Sequence, residues 1–147
     1  MSTRGLISAT PGEYVYNHSD SYPTGLGQEI ADRLHEGDHE TFREEIISGR
    51  FTDQDHPDFL HIKGIDYLFH EYVYVLDFAR KRWSAYDSVW DPRERKKPVE
   101  CWDTSKGRLK AYFEDVDLAT PVRFEERYGK PDKEGRRYIS HYVAKIG

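Results

Sequence analysis

Hydrophobic and polar positions along this chain change period several times, and each change marks a new element. Leu6-Ile7-Ser8-Ala9-Thr10 reads as a short strand, and Pro11-Gly12 is a turn dipeptide. Residues 13–17 alternate, with Tyr14, Tyr16 and then His18 on one face and Val15 and Asn17 on the other. Two such runs across a tight turn predict a β-hairpin. The period then becomes helical. Leu26, Ile30 and Leu34 fall at i, i+4 and i+8, and Ala31 widens the stripe. Thr24 is the expected N-cap, because its hydroxyl can accept from an amide of the first turn. Gly37-Asp38 ends this helix and caps a second, whose apolar face is Phe42, Ile46 and Ile47 and whose C-terminal glycine is Gly49.

Residues 51–64 lose periodicity and form a loop rich in Asp53, Asp55, His56, Asp58 and His61, with Phe59, Leu60 and Ile62 expected to tuck onto the core. The strongest strand signal follows, within residues 65–87. Tyr72, Tyr74, Leu76 and Phe78 point one way; Val73, Val75 and Asp77 point the other. Both faces are largely apolar, which predicts a central strand. Asp77 is the exception there, expected to pair with an arginine. Arg80-Lys81 supplies a turn, and Trp83 and Ala85 continue on a returning strand.

Beyond Asp91-Pro92 lies a solvated basic run at 93–97, then a short strand expected at 99–102. Leu109, Tyr112, Phe113 and Val116 match the helical template, with Thr104 or Ser105 as cap. Leu109, Ala111 and Phe113 fit a strand as well, so residues 105–117 are read as helix with strand as the alternative. After Pro121 come Val122-Arg123-Phe124, a turn at 131–135, and a closing strand at 137–146 with Tyr138, Tyr142 and Ala144 on one face. The expected fold is one α+β domain spanning residues 1–147. Its sheet is mostly antiparallel, made of the N-terminal hairpin, a central hairpin and the C-terminal strand, and covered by two or three helices.

Composition changes this picture only at the margins. The chain has 147 residues, 14% aromatic and 33% charged, with eleven tyrosines, which suits a folded domain and not a disordered one. A net charge of −5 argues against binding driven by phosphate neutralisation, so nucleic acid is not the expected partner. The single Cys101 excludes an intrachain disulfide and fits a reducing cytosol. No stretch reads as a signal peptide or membrane span, and the expected location is cytoplasmic. His35 and His39 have the i, i+4 spacing of a metal pair, but Gly37 breaks the helix between them. The Asp/His loop matches no metal motif either. Neither metal nor cofactor is expected.

Candidate chemistry concentrates in residues 14–27. These fourteen positions hold three tyrosines, an amide, an imidazole, a carboxylate, a proline and two glycines. Ser19-Asp20-Ser21 is turn chemistry, and Pro23 holds Tyr22 extended. Gly25 and Gly27, in the first helical turn, each cost about 1 kcal/mol against alanine. Two reasons compete for them: close packing of helix on sheet, or open access to helix N-terminal amides, which attract anions. The candidate ligand-binding set is Arg4, Asn17, His18, Asp20, Tyr22, Thr24, Gly25 and Gly27.

Thr3-Arg4-Gly5-Leu6, followed by Tyr16-Asn17-His18-x-Asp20-Ser21-Tyr22-Pro23-x-Gly25-Leu26-Gly27, resembles a family of uncharacterised proteins found in bacteriophages, bacteria and fungi. Glu71-Tyr72-x-Tyr74-Val75-x-Asp77 resembles the strand of that family. The likeness covers the first quarter of the chain well. It implies a site and not a reaction, with a phage accessory or counter-defence role implied by where such proteins occur.

Three function classes follow. The first is a small binding protein holding an anionic small molecule, a nucleotide or a peptide carboxylate at the hairpin–helix junction. The second is a hydrolase, with His18 and Asp20 as an acid/base pair or Ser2 or Thr3 as an N-terminal nucleophile. No Gly-x-Ser-x-Gly, His-Glu-x-x-His or P-loop supports it. The third is a protein–protein inhibitor working through tyrosine-rich surface on a host protein.

Overall fold

The N-terminal hairpin forms as its pattern requires. β1 (Gly5–Thr10) pairs antiparallel with β2 (Glu13–Asn17) across Pro11-Gly12, where Gly12 takes a φ of 78°. The computed structural model describes residues 3–52, 62–63, 71–88 and 109–147. After β2 come a single π-helical turn (Pro23–Gly27), α1 (Gln28–Glu36) and α2 (His39–Ile47). Then follow β3 (Ile62–Lys63), β4 (Tyr72–Asp77), β5 (Arg82–Ser88), β6 (Leu109–Asp117), β7 (Val122–Tyr128) and β8 (Ile139–Ile146).

One mixed sheet runs β3-β2-β1-β4-β5-β6. It is antiparallel except for β1 and β4, which lie parallel with Leu6 opposite Val73 and Ile7 opposite Tyr74. The strand expected to be central is central, flanked by β1 and β5. Its two faces divide as the alternation said. Tyr74 and Leu76 join Ile7, Val15, Trp83, Phe113 and the helices in the main core. Val73 joins Leu6, Tyr16 and Tyr86 in a second cluster on the opposite face. The helices bury Leu26, Ile30, Ala31, Leu34, Phe42 and Ile46 against the first of these faces. Arg33 ties α1 to α2, bonding Glu45 at 2.7 Å with its guanidinium 4.7 Å above the Phe42 ring.

Four expectations need correcting or narrowing. Residues 109–117 are a strand, not a third helix: β5 offers a free edge, and a bulge around Tyr112 puts Tyr112 and Phe113 together on the core-facing side despite their adjacent positions. The C-terminal strand does not join the main sheet. It pairs with β7 as a separate two-stranded sheet, so residues 122–124 are part of a seven-residue strand. Thr24 is not a helix cap; the turn starts after extended Tyr22 with Pro23 first, and Thr24 Oγ1 donates instead to Glu126 at 3.0 Å. Asp38 precedes α2 as expected but in a left-handed conformation, φ 53°, with no capping bond from its side chain.

Asp77 does meet an arginine, accepting from the Arg80 amide at 3.1 Å with the Arg80 guanidinium 3.9 Å away. Gly49 ends α2 with a φ of 82°. The Asp/His loop at 53–61, the basic run at 93–97 and the strand expected at 99–102 lie outside the described residues. Among the described residues no helix is long and apolar enough to cross a membrane.

Candidate functional site

The motif at residues 14–27 folds into a knot whose polar groups mostly satisfy one another. β2 ends at Asn17, and the chain then reverses through Asp20, whose φ of 55° is a left-handed turn that aspartate tolerates. The reversal brings Ser21, fully buried, against the first residue of β1. Asn17 Nδ2 donates to the Ser19 carbonyl at 2.6 Å and to Ser21 Oγ at 2.7 Å, while Ser21 Oγ donates to the Asn17 carbonyl at 3.2 Å. The Ser21 amide donates to the Thr3 carbonyl, and its own carbonyl accepts from the Tyr74 hydroxyl at 2.7 Å. Every hydrogen-bonding group of Ser21 is thus used, as burial demands.

The two glycines explain themselves by contact. A Cβ on Gly25 would lie 2.6 Å from the Asp20 carbonyl oxygen and 2.9 Å from the Tyr22 ring. On Gly27 it would lie 3.0 Å from the Tyr74 hydroxyl and 3.1 Å from the Phe124 ring. Close packing is the use the structure gives both. Nor are the first-turn amides free. Gly25 N and Gly27 N donate to the Tyr22 carbonyl and Leu26 N donates to that of Asp20, while Pro23 has no N–H. Of the amides expected to receive an anion, only that of Thr24 remains.

The other candidate residues do not converge on the knot. His18 is exposed and its Nδ1 is hydrogen-bonded to the Tyr16 hydroxyl at 2.9 Å. Arg4 acts on the same tyrosine: burial raises the Tyr16 pKa, and the nearby guanidinium partly offsets this. The Asp20 carboxylate, expected to meet Arg4 or a helical amide, is exposed and has no partner among the described residues. His35 and His39 each bond a backbone carbonyl, of Ala119 and Leu34. Among the described residues no three His, Cys, Asp or Glu side chains are grouped to hold a metal.

Beside the knot the structure assembles a cluster that the sequence did not single out. Tyr22, from the loop, lies nearly parallel to Tyr142 of β8, with ring centroids 6.4 Å apart and planes at 7°. Tyr72 of β4 meets the same Tyr142 edge-on at 6.1 Å. Tyr112, at the β6 bulge, donates to Asp87 Oδ2 at 3.3 Å, and Asp87 stands opposite Tyr72 in the β4–β5 ladder. Glu126 faces Tyr142 across the β7–β8 hairpin and accepts from Thr24 and from the Tyr128 hydroxyl. All four tyrosines and Asp87 are half-buried.

The electrostatics of this cluster are mainly acidic among the described residues. Desolvation raises the pKa of Tyr72, Tyr112 and Tyr142, and neighbouring Asp87, Glu71 and Glu126 raise them further. Asp87 is itself pushed up by burial, against the Tyr112 hydrogen bond and the charge of Lys110, which lower it. Among the described residues, Lys110 is the cation that acts on Asp87. A signal for the cluster was present in Asp87, a carboxylate sharing the face of Trp83 and Ala85, but its partners come from four other segments. The chain matches no protein-family model, no curated protein and no solved structure with which it was compared.

Proposed function

We propose that this protein is a small binding module whose recognition site is the cluster of Tyr22, Tyr72, Tyr112, Tyr142 and Asp87, and that it takes an organic cation. The observation that carries this reading is the union of aromatic rings with a mainly acidic surround among the described residues. Neutral phenol rings with electron-rich faces gather there, and the carboxylates of Asp87, Glu71 and Glu126 lie close enough to raise the pKa values of their hydroxyls. An ammonium or guanidinium group gains from both, and its arrival lowers the cost of holding Asp87 ionised while half-buried.

The anion reading draws less support. Three of the first-turn amides already have carbonyl partners, and the Arg4 charge acts on Tyr16. The hydrolase reading lacks an assembled pair, since His18 bonds Tyr16. Calorimetric titration with tetramethylammonium, an alkylguanidinium and phosphate tests the choice. The organic cations should bind, and Tyr142→Ala or Asp87→Asn should weaken binding by about tenfold or more. Phosphate binding that Arg4→Ala abolishes would overturn the proposal and restore the anion site.

A further inference from the structure

We propose that β8 is the contact strand of a two-fold symmetric dimer, two copies joining edge to edge into a continuous four-stranded sheet. The phase of the β7–β8 ladder carries the argument. Gly147 N donates to the Pro121 carbonyl, so Arg123/Lys145, Glu125/Val143 and Arg127/His141 are the hydrogen-bonded pairs. Val122 O and Phe124 N then point away from β8, and Gln28 meets them both, donating to the first at 3.1 Å and accepting from the second at 2.9 Å. A side-chain amide here stands in for a neighbouring strand. By the same phase, the backbone groups of Tyr142, Ala144 and Ile146 point away from β7, and the phase ends at a bulge where Ser140 stands between the Arg127/His141 and Tyr128/Ile139 pairs. No described residue pairs with them.

The other edges are blunted. β7 is closed by Gln28, and β3 contributes only two residues. β6 is bulged, holds Asp115 at a φ of 51°, and carries Lys110, Glu114, Asp115 and Asp117. β8 is bulged only at Ser140; residues 142–146 run regularly, with no proline and Lys145 as their only formal charge. Exposed apolar surface gathers at the same place. Tyr128, Tyr138, Ile139 and Ile146, at 42–63% exposure, are the exposed large hydrophobic residues among those described, and all belong to this hairpin or its turn.

The strand is self-complementary, which is why a second copy is the occupant. An antiparallel register that sets Tyr142 opposite Ala144 of the second copy also sets Ser140 opposite its Ile146. Tyr142 and Ala144 of each copy then pair with each other, forming about four backbone hydrogen bonds. Val143 meets Val143 on the axis, and Lys145 falls opposite His141, so the two ammonium groups do not face each other. An acidic or basic foreign strand gains no such symmetry.

Sedimentation equilibrium of the full chain over about a hundredfold range of concentration should show a monomer–dimer transition. Ala144→Pro removes an outward N–H that makes no bond among the described residues, and should weaken the dimer by at least about tenfold while the circular dichroism spectrum is kept. In a Cys101→Ser background, Val143→Cys should cross-link two copies under mild oxidation, because facing non-bonded residues lie about 4.5 Å apart at Cα, within disulfide reach. Arg123→Cys, one strand removed, should not cross-link. A monomer throughout the range, or a dimer indifferent to Ala144→Pro and lacking the Val143→Cys cross-link, overturns the proposal.

Discussion

The knot at residues 14–27 and the hairpin β7–β8 hold their polar groups in opposite states. In the knot, Asn17 and Ser21 bond each other, Ser21 accepts from Tyr74, and the Gly25, Leu26 and Gly27 amides donate to the Tyr22 and Asp20 carbonyls. In the hairpin, one edge of β8 presents backbone groups that have no partner among the described residues, and its inner face supplies Tyr142 to a half-buried acidic cluster. The stretch with the most unusual composition is therefore chiefly a device of folding. The stretch with ordinary strand composition carries the unsatisfied chemistry. Unusual residues mark places where the chain is hard to build, and these need not be places where it meets a partner.

Four substitutions test that contrast, from the largest effect to the smallest. Phe124 anchors the hairpin on the core, 5% exposed and against Trp83, Tyr112 and Phe113. Phe124→Ala should cost about 3–5 kcal/mol in denaturant unfolding. A cost of a few tenths would mean that the hairpin is loosely attached and that its open edge is no separate property. Gly25→Val should cost about 3 kcal/mol, because its new Cβ meets a backbone carbonyl at 2.6 Å that only a shift of the turn can relieve. Unchanged melting with altered ligand affinity would make Gly25 a binding residue instead, and the knot a site.

Tyr74→Phe removes one hydroxyl from the knot and strands the buried Ser21 carbonyl, for an expected loss of about 1–3 kcal/mol. No loss in thermal melting would show that the carbonyl has water to turn to. The smallest effect is that of Asp87→Asn. Burial raises the folded pKa of Asp87, so its protonated form favours the fold. That contribution is whole below the unfolded carboxylate pKa and is lost as pH rises through the raised folded value. Asp87→Asn should match the wild type in acid and exceed it at neutral pH, by less than about 1 kcal/mol since the site is partly hydrated. Melting curves from about pH 4 to pH 8 read this directly, and a variant less stable than wild type at neutral pH would place a cation on Asp87 already.

Much of the fold was legible because period and turn chemistry are local. The N-terminal hairpin, the buried stripe of Leu26, Ile30 and Leu34, Gly49 as a terminator, and the division of Tyr74 from Val73 all follow from residues within a turn or a pleat of one another. Residues 109–117 satisfied two periods at once, and β5, over twenty residues earlier, decided for strand. Whether β8 would extend the main sheet or pair with β7 alone was likewise a matter of which edges were already covered, one of them by the side chain of Gln28.

The candidate site divides the same way. Sequence alone determined that Ser19-Asp20-Ser21 would make a turn and that Gly25 and Gly27 had a positional reason. Only the tertiary structure chose that reason, by setting the Asp20 and Tyr22 carbonyls on the amides and Phe124 against Gly27. It alone brought Tyr22, Tyr72, Asp87, Tyr112 and Tyr142 together from five segments. Side-chain spacing is fixed by local backbone geometry and can be read from a string of residues; burial, field and edge occupancy are sums over distant neighbours and exist only once the chain has closed on itself.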